Sequence, residues 1–575
     1  MMRRRLRIPM LCALGVTALW SCRKGDVPPR TPSVRLYLIS TLAGAMEPCG
    51  CRKDMLGGID HAAALLASQA KEAPDRLLLA AGPLFFQDPS LTPERRDQDL
   101  WKAEALAVSL ADIGLSAWAP GENDFAAGAE QLVRLADQSK ARPLGVELGA
   151  AASGRPGAAW TAMFDVGKFK VGVAGIGAAP GVAPSEAAAS ALTRAAAELS
   201  AAGAQIRVAL LATPRGEGLR LAEKVPGFDV VALGKPVEAG DANDGSFSPI
   251  LVGDTLVVQA PNHLQALSYV DLFVEAGSFD FKDGSGLAAL ERRDSAKARV
   301  AELESRLSRA GAGAEQRAAT EQQLGRTRAE LAELERAALA PKAPEGSALY
   351  YHEVPVREGL GSAPGVAQRM SEYYRKVNDH NRVALADREP KPVERGEPRY
   401  VGDMFCPTCH GAATRFWERT QHASAYETLS REFKEYNLDC VGCHVTGYER
   451  PGGSTVTHVG DLKGVQCEAC HGPASKHIEW GGDARFITLT PKENVCRGCH
   501  HSPHVADDWD YRAAWRQIVG EGHGAQAAGG PPTPGAGGNP GAGGNPGGST
   551  AAGAGSGGAA SGGAGGASGT STSTH

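Results

Sequence analysis

Four pentapeptides constrain this chain more than anything else in it: Cys406-Pro-Thr-Cys409-His410, Cys440-Val-Gly-Cys443-His444, Cys467-Glu-Ala-Cys470-His471 and Cys496-Arg-Gly-Cys499-His500. Each reads C-x-x-C-H, the attachment signature of c-type haem. Two thiols separated by two residues reach the two vinyl groups on one porphyrin edge. The next histidine then falls under the iron as its axial ligand. A zinc ribbon needs no histidine after each pair, and a disulfide framework gives no reason for one. Four covalent c-type haems are expected, with His410, His444, His471 and His500 proximal. A segment built around four macrocycles takes its core from them. Short helices should carry the motifs, for example over 414–433, with Phe416, Trp417, Tyr426 and Phe433 on the haem faces.

Met404 is the one methionine near these motifs, so a set of His/Met irons is excluded by supply. Bis-His ligation can be supplied for all four, and it favours lower potentials. The preferred distal ligands are His422, His477, His504 and His523. His458 could replace any of them, and His501 directly follows a proximal ligand. Any one of these, taken singly, could be an ordinary surface histidine.

The segments "YVGDMFCPTCH", "FWERTQHASAYETL", "LDCVGCHVTGY", "VQCEACHGPASKH" and "VCRGCH" resemble the tetrahaem cytochrome c-554 family over about residues 399–524. The resemblance implies a periplasmic electron carrier that works with redox partner proteins, its haems stacked and mostly bis-His. Related multihaem proteins reduce small oxyanions at an open haem. An alternative is therefore a haem-based oxidoreductase of a small nitrogen or sulfur compound, marked by one haem without a distal histidine.

The first residues read as a targeting segment. Arg3, Arg4, Arg5 and Arg7 precede an apolar run over 8–20, which is too short for a permanent span. It ends in "LWSC", which resembles a bacterial lipobox, so 1–21 is expected to be a signal peptide and Cys22 the lipidated residue. A plain secretory signal is the other reading. Either way the expected location is exported, periplasmic or outer-membrane-anchored, with the membrane reached through the lipid. A net charge of −5 gives no reason to expect nucleic acid. The Gly/Ala/Ser-rich stretch 525–575 is expected to be a disordered tail.

Over 34–276, short apolar runs ("VRLYLIS", "RLLLAAG", "SAWAP", "KVGVAGIG", "IRVALLAT", "DVVALG", "TLVVQA") alternate with helical stretches. That argues for an α/β domain with a covered sheet. Together with "GGIDHAAALL", "LLLAAGPLFF", "APGENDFAAGAEQL" and "KVPGFDVVALGK", these pieces resemble the calcineurin-like metallophosphoesterase domain of 5'-nucleotidases, an αββα sandwich. Carried onto this sequence, the family's metal ligands fall on Thr41, Ala43, Pro83, Glu122 and Asn123, and near Thr213, Lys235 and Val237. Most of these are poor cation ligands. Glu122, Asn123 and Asp124 could hold one hard cation weakly, so a dinuclear hydrolytic site and a second metal are not expected. A phosphohydrolase with a rebuilt site remains the third alternative.

Cys49 and Cys51, in "EPCGC", lack the haem spacing and the histidine. A redox-switching thiol pair, a soft-metal site completed by residues such as His61, and incidental cysteines are the three readings. Residues 287–338 read as a helical hairpin, and 347–398 as a linker with a helix. The full expectation is a multidomain chain: a metallophosphoesterase-like sandwich, a hairpin, and a mostly α, haem-packed cytochrome.

Overall fold

All seven residues of β1 (Val34–Ser40) are buried, because both faces of the strand are covered. Tyr37 and Ile39 enter one core, Leu36 and Leu38 another. The computed structural model describes residues 31–48, 55–145, 159–178, 186–237, 247–308, 314–338, 344–501, 505, 509–520 and 522–523. The signal segment, Cys22, Cys49, Cys51, His504 and the tail lie outside these.

After β1 come α1 (Ile59–Ser68), β2 (Arg76–Ala81), α2 (Arg96–Asp112), β3 (Leu115–Ala119), α3 (Ala129–Ser139) and β4 (Arg142–Pro143). Next are β5 (Thr161–Val166), β6 (Phe169–Ile176), α4 (Glu186–Ala201), β7 (Ile206–Ala212), α5 (Arg215–Lys224) and β8 (Val230–Gly234). Then follow β9 (Ile250–Val252), β10 (Thr255–Val258), β11 (Ala266–Phe273) and β12 (Lys282–Asp283). Helices α6 (Leu287–Ser308) and α7 (Ala314–Ala338) form the expected hairpin around buried Leu303, Leu324 and Leu334. The chain returns as β13 (Ala348–Pro355) and α8 (Pro364–Ala384).

One sheet has seven strands in the order β12-β13-β11-β1-β2-β3-β4, the other six in the order β5-β6-β7-β8-β10-β9. Strands β1, β2 and β3 are parallel, as are β6, β7, β8 and β10. Leu36, Leu79, Val208 and Val230 fill the space between the sheets. Helices α1, α2, α3 and α8 cover the first sheet through Leu65, Leu106, Leu135 and Tyr373, while α4 and α5 cover the second through Leu192 and Leu221. The layers run helix, sheet, sheet, helix.

The stretch read as a linker adds two elements to this sandwich. β13 pairs with β11 along eight residues, and Met370, Tyr374 and Val377 of α8 lie in the core beside α2. The polar His352 and Glu353 break the alternation of "ALYYHEVP", which hid the strand.

The haem-motif region is built differently. Its helices are α9 (Pro407–Trp417), α10 (Ala425–Arg431), α11 (Cys467–His471), α12 (Ser475–Glu479), α13 (Glu493–Arg497) and α14 (Tyr511–Ile518). The single helix expected over 414–433 is two, because the Thr420 hydroxyl and N–H both close on the Trp417 carbonyl and turn the chain at His422. Its apolar clusters are small, one around Val441, Val445 and Val456, the other around Trp509, Tyr511 and Trp515. The large apolar residues Met404, Phe405, Ile478, Trp480, Leu489 and Val495 are exposed here, against only Leu56 and Val383 among the large apolar residues described elsewhere. Among the described residues no helix is long and apolar enough to cross a membrane.

Candidate functional site

Pro407 starts α9, where its fixed φ suits a first turn, and the helix carries Cys409 and His410. The third pentapeptide forms the short helix α11. Within it Glu468 is 2% exposed, and its carboxylate accepts the backbone N–H groups of Val401 (3.0 Å), Gly402 (2.8 Å) and Ala474 (2.7 Å). Burial pushes this carboxyl above its ordinary value, while those three bonds favour the charged form. Glu468 thereby ties the segment entering the first pentapeptide, and the segment entering α12, to the third pentapeptide. His477 on α12 consequently stands over His410, with ring centroids 6.1 Å apart and planes 18° from parallel.

A second ring pair crosses the motifs. Trp417 Nε1 donates to the Val465 carbonyl (2.8 Å), and the Val465 N–H donates to the His422 carbonyl (2.9 Å). This holds His422 6.2 Å from His500, centroid to centroid. Burial pushes His422 down to about 4, with His500 pushing the same way, so it is neutral near pH 7. Trp509 stacks on His500 at 4.7 Å and 3°.

The Nδ1 atoms of His444, His471 and His477 donate to the carbonyls of Ala425 (2.6 Å), Thr488 (2.6 Å) and Asp483 (3.0 Å). That fixes the tautomer and leaves Nε2 with its lone pair, the form that ligates a metal. His523 is brought in by close backbone approach. Gly522 has φ +92°, and a Cβ there would lie 2.4 Å from the Ala413 nitrogen of α9. Burial lowers the His523 imidazole, and His471 and His410 act in the same direction. His458 sits apart, its Nδ1 3.1 Å from the Thr457 hydroxyl, in a cavity of about 510 Å³ that Tyr400 and Asp461 also line.

All eight motif cysteines are free thiols. The Cys406 thiol adjoins that of Cys467, and the Cys443 thiol that of Cys499, so thiols of different pentapeptides lie close together. The donor set fits covalent haem: paired free thiols, imidazoles oriented through Nδ1, and large apolar side chains that the chain itself does not cover.

Of the aromatic residues assigned to haem faces, Phe433 goes elsewhere. The Arg375 guanidinium of α8 lies 3.7 Å from its ring centroid. Phe416 meets His523 edge-on, and Tyr426 is buried beside Val441. Sequence reasoning missed Glu468, although it lies inside the quoted "CEACHGP", and Trp509 in "DDWDY". An acid between two motif cysteines is the signal that was there to find.

In the sandwich, several positions onto which the resemblance places metal ligands lie together, and hydrogen bonds fill the place. Thr41 Oγ1 accepts from Lys235 N–H (2.8 Å), and Asn123 Nδ2 donates to the carbonyls of Gln87 (2.5 Å) and Val237 (2.9 Å). Thr41 and Ala43 keep left-handed backbone, φ 49° at each. Asp124 is fully engaged: Oδ1 accepts from Leu84 and Phe85 and Oδ2 from Gly121. Burial pushes Asp124 up to about 6 against those bonds. Asn123 and Asp124 are thus engaged with backbone groups. Among the described residues no group of three His, Cys, Asp or Glu side chains could hold a metal ion.

The chain therefore joins a region whose paired thiols and oriented imidazoles fit covalent haem to a two-sheet α/β sandwich. Residues 405–472 match the family described as cytochrome c554 and c-prime. Cytochrome c-554 of Nitrosomonas europaea is 37% identical over 90 residues, 13% of this chain and 38% of that protein, so the chain spans well under two thirds of this relative. Among solved structures, the 5'-nucleotidase precursor of Thermus thermophilus is similar at a TM-score of 0.41 and 15% identity, over 64% of this chain and 61% of that one. The Thermus thermophilus sulfate thiohydrolase SoxB is similar at 0.40 and 16%, over 62% of each.

Proposed function

We propose that this protein is an exported electron carrier with four c-type haems, mostly or wholly bis-His, seated beside a non-hydrolytic phosphoesterase-like domain. The attaching thiols are Cys406 and Cys409, Cys440 and Cys443, Cys467 and Cys470, and Cys496 and Cys499. His410, His444, His471 and His500 serve as proximal ligands, and His477 and His422 as distal ligands opposite His410 and His500. His523 is the next distal candidate, beside His471. Bound haem supplies one-electron redox chemistry at iron. The chain orients the imidazoles of His444, His471 and His477 through Nδ1, keeps His422 neutral by burial, and brings the motifs side by side.

The observation that carries this reading is the pair of ring separations, 6.1 and 6.2 Å. Two imidazoles on opposite faces of one metal stand roughly 6 Å apart, given metal–nitrogen bonds of about 2 Å. The basic and apolar N-terminal run supports export, and Cys22 a lipid anchor; redox proteins are then the partners. Loss of the metal ligands, with Asp124 and Asn123 committed to backbone, supports a sandwich that does not hydrolyse phosphate esters. The test is intact mass combined with a pyridine haemochrome assay. Four haems per chain is the expected result, and fewer than four removes the reading. Phosphatase activity with added divalent metal would restore the hydrolase alternative.

A further inference from the structure

The second pentapeptide is gripped by the sandwich. Asn378 and Asn381 of α8 bond to both backbone groups of Tyr436, at 3.1 and 2.8 Å. Gln98 of α2 accepts the Leu438 N–H at 3.1 Å and donates to Asn437 at 3.3 Å. Asp439, the residue before Cys440, receives Lys102 Nζ at 2.5 Å on one oxygen and Arg95 on the other. Arg95 also reaches Asp99 at 3.3 Å. Lys434 pairs with Glu47 in the loop after β1. These charges are largely withdrawn from water: the side chains of Lys102 and Asp439 are 18% and 27% exposed.

We propose that α2 is the electrostatic half of the second haem-attachment site: Lys102 and Arg95 hold Asp439 and with it set the reduction potential of the iron ligated by His444. The phosphoesterase-like domain thereby acts as a potential-setting seat for one haem of the four. The inference rests on the four-haem reading. A unit charge in a low-dielectric setting acts strongly over several ångströms, and nearby charge and burial are what tune haem potentials. The Cys440 thiol is raised first by burial and then feels Asp439, Lys434, Glu47 and Lys102, so the cluster is within electrostatic reach of the attachment point. Lys102, Arg95 and Asp439 act on the site through their charge and not as ligands.

The sign of the effect separates tuning from clasping. Removing a cation leaves net negative charge and favours ferric iron; removing Asp439 leaves net positive charge and favours ferrous iron. The experiment is an optical redox titration of the full haem-loaded chain, with haem content measured first. Lys102→Met is expected to shift one of the four waves to lower potential, Asp439→Asn to shift the same wave upward, and Lys102→Arg to leave it in place. Arg95→Gln, at a more exposed cation, repeats the downward shift should Lys102→Met fail to fold. Shifts of one sign in both charge classes, no shift in any wave, or loss of a haem from a folded variant overturns the proposal in favour of a structural clasp. A wild-type chain with fewer than four haems would instead sink the four-haem reading, and haem content reports that before any potential is measured.

Discussion

The sandwich and the haem region differ in where their cores come from. Leu36, Leu79, Val208 and Val230 are buried between two sheets, and further cores lie under the helices on each outer face. Among its described residues the haem region has two small apolar clusters and leaves Trp480 and Leu489 each 67% exposed. A chain segment with so little apolar burial cannot offset its conformational entropy alone. The comparison teaches that the sandwich is specified by its own side chains, while the motif region, its backbone cinched by Glu468 and Trp417, leaves its core to be completed by the proposed haems.

The strongest way to break that contrast is to withhold haem. Produced without haem attachment, the chain should be cut rapidly by protease within 399–524 while 31–398 persists; equal resistance of both parts on a gel would remove the contrast. His477→Ala should next convert one iron of four from low-spin to high-spin, read by EPR, without altering unfolding of the sandwich. A parallel loss of sandwich stability would show that His477 is structural.

Leu36→Ala should do the opposite. It should destabilise the sandwich by about 2–5 kcal/mol, as for other buried leucines, and leave the haem spectrum unchanged. Far-UV circular dichroism in denaturant measures the first and the Soret band the second. The smallest effect concerns Asp124, raised from 3.8 to about 6. Between those values the folded chain keeps a proton that the unfolded chain has released. Stability therefore falls as pH rises from about 4 to about 6 and is flat on either side. Asp124→Asn should shallow this slope, with part of the remainder belonging to Asp229, which burial also pushes up to about 6, and part to other raised carboxyls such as Glu468. An unchanged slope in denaturant melts across that range would refute the assignment.

What could be read in advance follows the same division. The strands "VRLYLIS" and "IRVALLA" are legible because continuous apolar runs bounded by turns leave few options. β13 was hidden because its sheet position places His352 and Glu353 within a paired strand. The pentapeptides announce their thiols and proximal histidines through local spacing. The partnership of His410 with His477, and of His422 with His500, depends on contacts between distant segments that spacing does not encode. The Lys102–Asp439 contact links residues 337 apart in sequence, and neither has a motif to mark it.

Motif histidines and histidines from segments outside the motifs should close the iron sites as pairs. EPR of the fully oxidised, fully haem-loaded protein tests it most directly. Low-spin signals that account for all four irons are the predicted result. A stoichiometric high-spin signal from intact protein would contradict closure of every site, point to an open iron, and move the protein from carrier toward catalyst.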